Sequence, residues 1–90
     1  MRAVSIADIE VVTRVLLAEK PDLRERKLAN ICEMACNGDR YRKRFGRQHV
    51  SFGNGTLMSA ALQFQLAARS KSCGPEYLDC LALVVDRLRQ

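Results

Sequence analysis

Apolar residues along much of the chain recur three and four positions apart. The pattern therefore predicts helices. Ile9, Val12 and Leu16 form one stripe, Ser5 is placed to cap its start, Asp8 lies in its first turn, and Lys20-Pro21 breaks it. This predicts a first helix over about 6–19. Pro21 suits the opening turn of a second helix, where Leu28, Ile31, Cys32 and Ala35 share a face and Asn37-Gly38 supplies an end signal at about residue 37. Residues 39–45 form a further short helix in this scheme, with Tyr41 and Phe45 on one face and Gly46 terminating it.

The longest irregular stretch runs from Gly46 to Thr56, and Gly53-Asn54-Gly55-Thr56 has the composition of a turn handing over to a helix capped by Thr56 or Ser51. An alanine- and leucine-rich third helix is predicted over 57–69. The polar run Ser70-Lys71-Ser72-Cys73-Gly74 separates it from a fourth, over 75–88, opened by Pro75. Leu78, Leu81, Ala82, Val85 and Leu88 mark one side of that helix, and Cys80, Leu83 and Val84 carry the apolar surface nearly all round. The first helix has a similar excess in Val11, Val15 and Leu17. Two surplus faces in a chain of 90 residues predict a homodimer that buries one of them; the alternative is a monomer wrapped around the fourth helix.

The expected fold is an all-α bundle of four to five helices forming a single domain over 1–90. With 48% hydrophobic and 28% charged residues, the composition is that of a folded chain and not of a disordered one. Asp8, Glu10 and Arg14 interrupt the N-terminal apolar residues, which argues against a signal-peptide core or a membrane span and makes the cytoplasm the expected location.

Charge changes the picture more. The chain carries a formal +5, and residues 39–47 alone hold +4, from Arg40, Arg42, Lys43, Arg44 and Arg47 against Asp39. Clustered bases beside aromatic rings offer phosphate neutralisation, with Tyr41 and Phe45 as candidate stacking surfaces. Nucleic acid is the polyanion this suggests. A helix-turn-helix fits poorly, because a reading helix over 39–46 spans about two turns and lacks apolar positions to pack on its support. The plainer alternative is a solvated basic helix pinned by Tyr41 and Phe45, or a protein partner's docking face.

Gly53, Gly55 and Thr56 form a second candidate, since a glycine-flanked turn entering a helix exposes backbone amides to an anion that Arg47 and His49 would complete. The spacing matches neither a Walker loop nor G-x-G-x-x-G, and a plain turn with a helix cap is the better explanation of it. No cofactor is implied. Cys32, Cys36, Cys73 and Cys80, or three of them with His49, supply zinc-ligand types without paired C-x2-C knuckles, while Cys32 also belongs to the predicted core stripe. No metal is therefore expected. Cys73, in a polar loop before a helix, is the thiol expected at the surface. His49 has no orienting carboxylate near it in sequence and no nucleophile motif is present, so no catalytic residue is assigned.

Through Arg40-Tyr41-Arg42, Gly46-Arg47, His49, Gly53, Gly55, Thr56-Leu57-Met58, Ala60-Ala61-Leu62, Tyr77-Leu78 and Cys80-Leu81-Ala82-Leu83, the chain resembles a group of small uncharacterised proteins from alphaproteobacteria. The likeness covers roughly the C-terminal two-thirds and implies a bacterial protein, with no activity, cofactor or partner to carry over. The residues themselves point to a non-enzymatic binding module using the 40–56 surface for a polyanion. The alternative is a protein-interaction adaptor or homodimeric structural module with no nucleic-acid role.

Overall fold

Ser5 and Asp8 start the first helix as a reciprocal capping box: the Ser5 hydroxyl accepts the Asp8 amide at 3.2 Å, and the Asp8 carboxylate accepts the Ser5 amide at 2.8 Å. The computed structural model describes residues 1–90 as four α-helices and two short 3-10 turns, with no strand. The fold is all-α. Helix α1 (Ile6–Ala18) matches its predicted span to within a residue, and Val12, Thr13, Val15 and Leu16 are all buried. Ile9, Val11 and Leu17 pack at the edge of the same core. The surplus face predicted for this helix is thus covered within the chain, because α1 lies centrally against all three other helices.

Pro21–Leu23 form a 3-10 turn, and α2 (Arg24–Phe45) then runs unbroken for 22 residues. The sequence pattern predicts two helices here, divided at Asn37-Gly38. The division does not exist, and Gly38 instead makes room for a neighbour, since a Cβ there would lie 2.7 Å from the Phe52 carbonyl oxygen and 3.2 Å from the Gly55 amide nitrogen. The glycine lets the 46–56 loop rest directly on the helix backbone, at the usual cost of about 1 kcal/mol in helix propensity. Gly46, with φ +71°, ends α2 as predicted, its amide donating to the Arg42 carbonyl at 2.8 Å.

Helix α3 (Leu57–Ala61) is far shorter than the predicted 57–69. Beyond it the Gln63 and Phe64 amides bond only three residues back, and the chain then opens out across the bundle. Arg14 holds it there: its carbonyl accepts the Ala67 amide at 3.1 Å, and its Nε donates to the Ala67 carbonyl at 2.9 Å. Phe64 and Leu66 consequently pack against the core from an irregular segment. Tertiary contacts override local helix propensity here.

Helix α4 (Gly74–Leu88) has Pro75 in its first turn, close to the predicted start. Its buried face differs from the expected one. Cys80 and Val84 are fully buried, with Leu83 and Leu88 packed beside them, while Leu78, Ala82 and Val85 face outward. Both sides are apolar, so periodicity alone cannot choose between them. Arg24, itself buried, ties the corner: its Nε donates to the Leu16 carbonyl at 2.8 Å and its Nη2 lies 2.6 Å from a Glu76 carboxylate oxygen.

Candidate nucleic-acid interface

The last two turns of α2 carry the basic segment, and a buried carboxylate organises it. Asp39 is 4% exposed, and its two oxygens receive Arg42 Nη2 at 3.2 Å, Lys43 Nζ at 3.1 Å and the terminal ammonium of Met1 at 3.7 Å. The Lys43 hydrogen bond is the largest influence holding the Asp39 carboxyl below its ordinary range; burial opposes it, and Arg42 and the amino terminus assist. Gly55 lies over this residue with φ +94°, and a Cβ there would be 2.7 Å from the Asp39 Cα. The glycine is what allows the loop to close over Asp39.

Arg42 and Lys43 are therefore paired with Asp39, Arg42 half-buried and Lys43 still exposed, and both charges contribute to the local field. Arg40, Arg44 and Arg47 are exposed and form no ion pair. Arg40 and Arg44, four apart on the helix, share a face, and Arg47 follows just beyond the Gly46 cap. Next to them runs an aromatic train. The Tyr41 and Phe45 ring centres are 4.5 Å apart, Tyr41 and His49 meet nearly perpendicular at 4.7 Å, and His49 stacks on Phe52 at 4.2 Å. Phe45 remains 53% exposed, and the Arg44 guanidinium lies 5.4 Å from its ring centre.

His49 is fixed by the backbone around it. Its amide and carbonyl exchange hydrogen bonds with Gly53, both at 3.0 Å, and its Nδ1 accepts the Ser51 and Phe52 amides at 2.9 and 3.1 Å. Nδ1 is thus committed as an acceptor, and the ring serves as a piece of the aromatic train.

The glycine-flanked turn is engaged by the chain itself. Gly53 donates to His49, the Asn54 amide to Ser59 Oγ at 3.1 Å, and the Thr56 amide to Asn54 Oδ1 at 3.0 Å. Thr56 caps α3, accepting the Ser59 amide at 3.1 Å, and Asp8 Oδ1 accepts the Met58 amide at 3.0 Å. The carboxylate that a helix start attracts is supplied here by α1. Gly53, Gly55 and Thr56 accordingly position the loop, and the exposed bases of the 40–56 segment that form no ion pair are Arg40, Arg44 and Arg47, beside the ring of Phe45.

Two participants at this end carry no local signal in the sequence. Arg2 reaches it because its amide donates to the Gly55 carbonyl at 2.9 Å, a contact between distant parts of the chain. Phe52 joins the aromatic train through the same loop closure. The four cysteines are all free thiols; Cys32 and Cys80 are buried, and burial raises both thiols above their ordinary range. No group of three or more His, Cys, Asp and Glu side chains converges as a metal site would require. Surface depressions occur elsewhere, and none is lined by residues 40–56. The basic end is therefore open surface and offers no enclosed site for a small ligand.

No helix is long and apolar enough to cross a membrane. Neither curated proteins nor solved structures provide a match to the chain. A family model does match, over residues 2–88, and the chain accordingly belongs to the family described as a domain of unknown function (DUF7742).

Proposed function

We propose that the protein is a non-enzymatic binding module that holds nucleic acid through the basic end of α2. The observation carrying this is the set Arg40, Arg44 and Arg47: three exposed guanidinium groups without a carboxylate partner, beside an exposed aromatic ring. Guanidinium forks suit phosphate oxygens, and the surplus local charge draws a polyanion from a distance. The alphaproteobacterial likeness implies a bacterial cytoplasm, where such ligands abound.

Fluorescence anisotropy against labelled DNA and RNA, from about 50 to 200 mM salt, tests the assignment. Engagement of three phosphates gives a slope of log affinity on log salt of roughly −2.7 for duplex and −2.1 for a single strand. The triple variant Arg40→Ala, Arg44→Ala, Arg47→Ala loses the binding and the slope, whereas Lys20→Ala with Lys71→Ala, which removes exposed charge elsewhere, keeps both. Absence of binding at the low-salt end, or equal losses in the two variants, rejects the assignment.

Self-association is a second, independent proposal, favoured by the outward stripe of Leu78, Ala82 and Val85 on α4. Leu83 packs against the core and is unsuited to probing it. If two copies meet on this stripe, Leu78→Glu lowers the mass in sedimentation velocity to that of one chain without altering the circular dichroism spectrum. A wild-type chain sedimenting as a monomer at micromolar concentration excludes the dimer.

A further inference from the structure

We infer that the nucleic acid held at this end is single-stranded, with a base stacked on the ring of Phe45; the inference rests on the polyanion assignment above. Phe45 occupies the last position of α2, braced by Tyr41 at 4.5 Å, while 53% of its surface stays open. An apolar ring kept exposed at the rim of three unpaired arginines gains from being covered, and the cover must carry both an aromatic face and negative charge. An unpaired nucleotide has both. In a duplex the base faces are already stacked on one another, and only the backbone and the groove edges remain.

The helix also has the wrong layout for a groove. The face of Arg40 and Arg44 meets the exposed carboxylate of Glu33 two turns earlier and ends at Gly46, so its basic part spans about two turns. A phosphate backbone laid further along α2 would encounter that carboxylate. A single strand needs only a short track: phosphates on Arg40, Arg44 and Arg47, and a base against Phe45. The Arg44 guanidinium lies over the ring at 5.4 Å from its centre; being exposed and without an ion-pair partner, it can move aside for the base and lie against it through its guanidinium plane. Stacking is tolerant of sequence because every base has a π-face, so the expected preference is for strandedness and not for a motif.

Three probes of equal length, about 12 nucleotides, separate charge from stacking: oligothymidylate, the same backbone with abasic residues, and a duplex. Wild-type protein binds oligothymidylate at least about tenfold more tightly than the abasic strand. Phe45→Leu, which keeps apolar bulk without an aromatic face, brings the two within about twofold, and Phe45→Trp restores the difference. Phe45 lies outside the buried core cluster, and a thermal melt verifies that both variants fold. Equal affinity for the base-bearing and abasic strands, tighter binding of the duplex, or a Phe45→Leu variant that keeps the wild-type ratio overturns the single-strand inference while leaving the salt-dependent grip in place. Salt-independent binding, or none, to all three probes overturns the polyanion assignment and this inference with it.

Discussion

Asp8 and Met58 join the starts of two helices through one carboxylate: Asp8 Oδ1 accepts the Met58 amide of α3 at 3.0 Å, while Oδ2 accepts the Ser5 amide and hydroxyl at the start of α1. Asp8 is 5% exposed, so water cannot readily replace it. Asp8→Ala leaves donors at both helix starts without a partner and is expected to cost about 2–3 kcal/mol. Ser5→Ala, which disturbs only the α1 cap, should cost about 1 kcal/mol. Urea unfolding of both variants checks this, and equal losses would show that the bond to Met58 contributes nothing.

Gly38 sits inside a helix where alanine would ordinarily be preferred by about 1 kcal/mol. Its missing side chain is occupied by loop backbone, with the Phe52 carbonyl oxygen 2.7 Å and the Gly53 carbonyl oxygen 3.1 Å from where a Cβ would stand. Backbone cannot step aside as a flexible side chain can. Gly38→Ala is therefore expected to destabilise by about 1–3 kcal/mol and to raise hydrogen exchange in residues 49–55. A variant more stable than wild type would mean that the loop does not rest on α2.

Asp39 predicts an acid limb. Its carboxyl is held low, chiefly by the Lys43 hydrogen bond, with Arg42 and the amino terminus adding to it. A carboxylate with a depressed folded value contributes stability above its unfolded value of about 3.9 and loses that contribution as pH falls through the lower folded value. Wild type should thus lose stability below about pH 4 more steeply than Asp39→Asn, the two curves converging at the acid end. Parallel curves from neutral pH to the acid end would remove Asp39 as the organiser of the basic segment.

Local chemistry makes the helix starts readable: Ser5 with Asp8, Thr56, Pro75 and the Gly46 terminator all act where their residue types suggest. What stays hidden depends on contacts between distant parts of the chain. Gly38 looks like an end signal because the loop lying on it is contributed by residues 52–55. The stretch after Ala61 has a helical composition, yet Arg14 draws Ala67 into an extended path. The two apolar sides of α4 are alike in hydrophobicity and differ in which one meets the bundle. At the basic end the charge cluster is plain in the sequence, but the division between committed and available groups is not. That division follows from the burial of Asp39, which no count of charges reveals.

The four thiols should divide sharply in reactivity. Cys73 precedes α4 in an exposed loop, Cys36 is half-buried, and Cys32 and Cys80 are enclosed. Burial raises the latter two above the ordinary thiol range; for Cys80, Arg24 opposes the rise and Glu76 and Asp79 reinforce it. Thiolate is the reactive form, so the enclosed pair is protected twice, by lack of access and by protonation at neutral pH. Titration of the folded protein with a chromogenic disulfide is expected to show one fast thiol, absent in Cys73→Ser, and a slower one from Cys36. Cys32 and Cys80 should react only at the rate of global unfolding, and in urea all four should react together. Two further fast thiols in the Cys73→Ser protein would place Cys32 or Cys80 at the surface, and with Cys80 the packing of α4 that turns Leu78 outward would have to be abandoned.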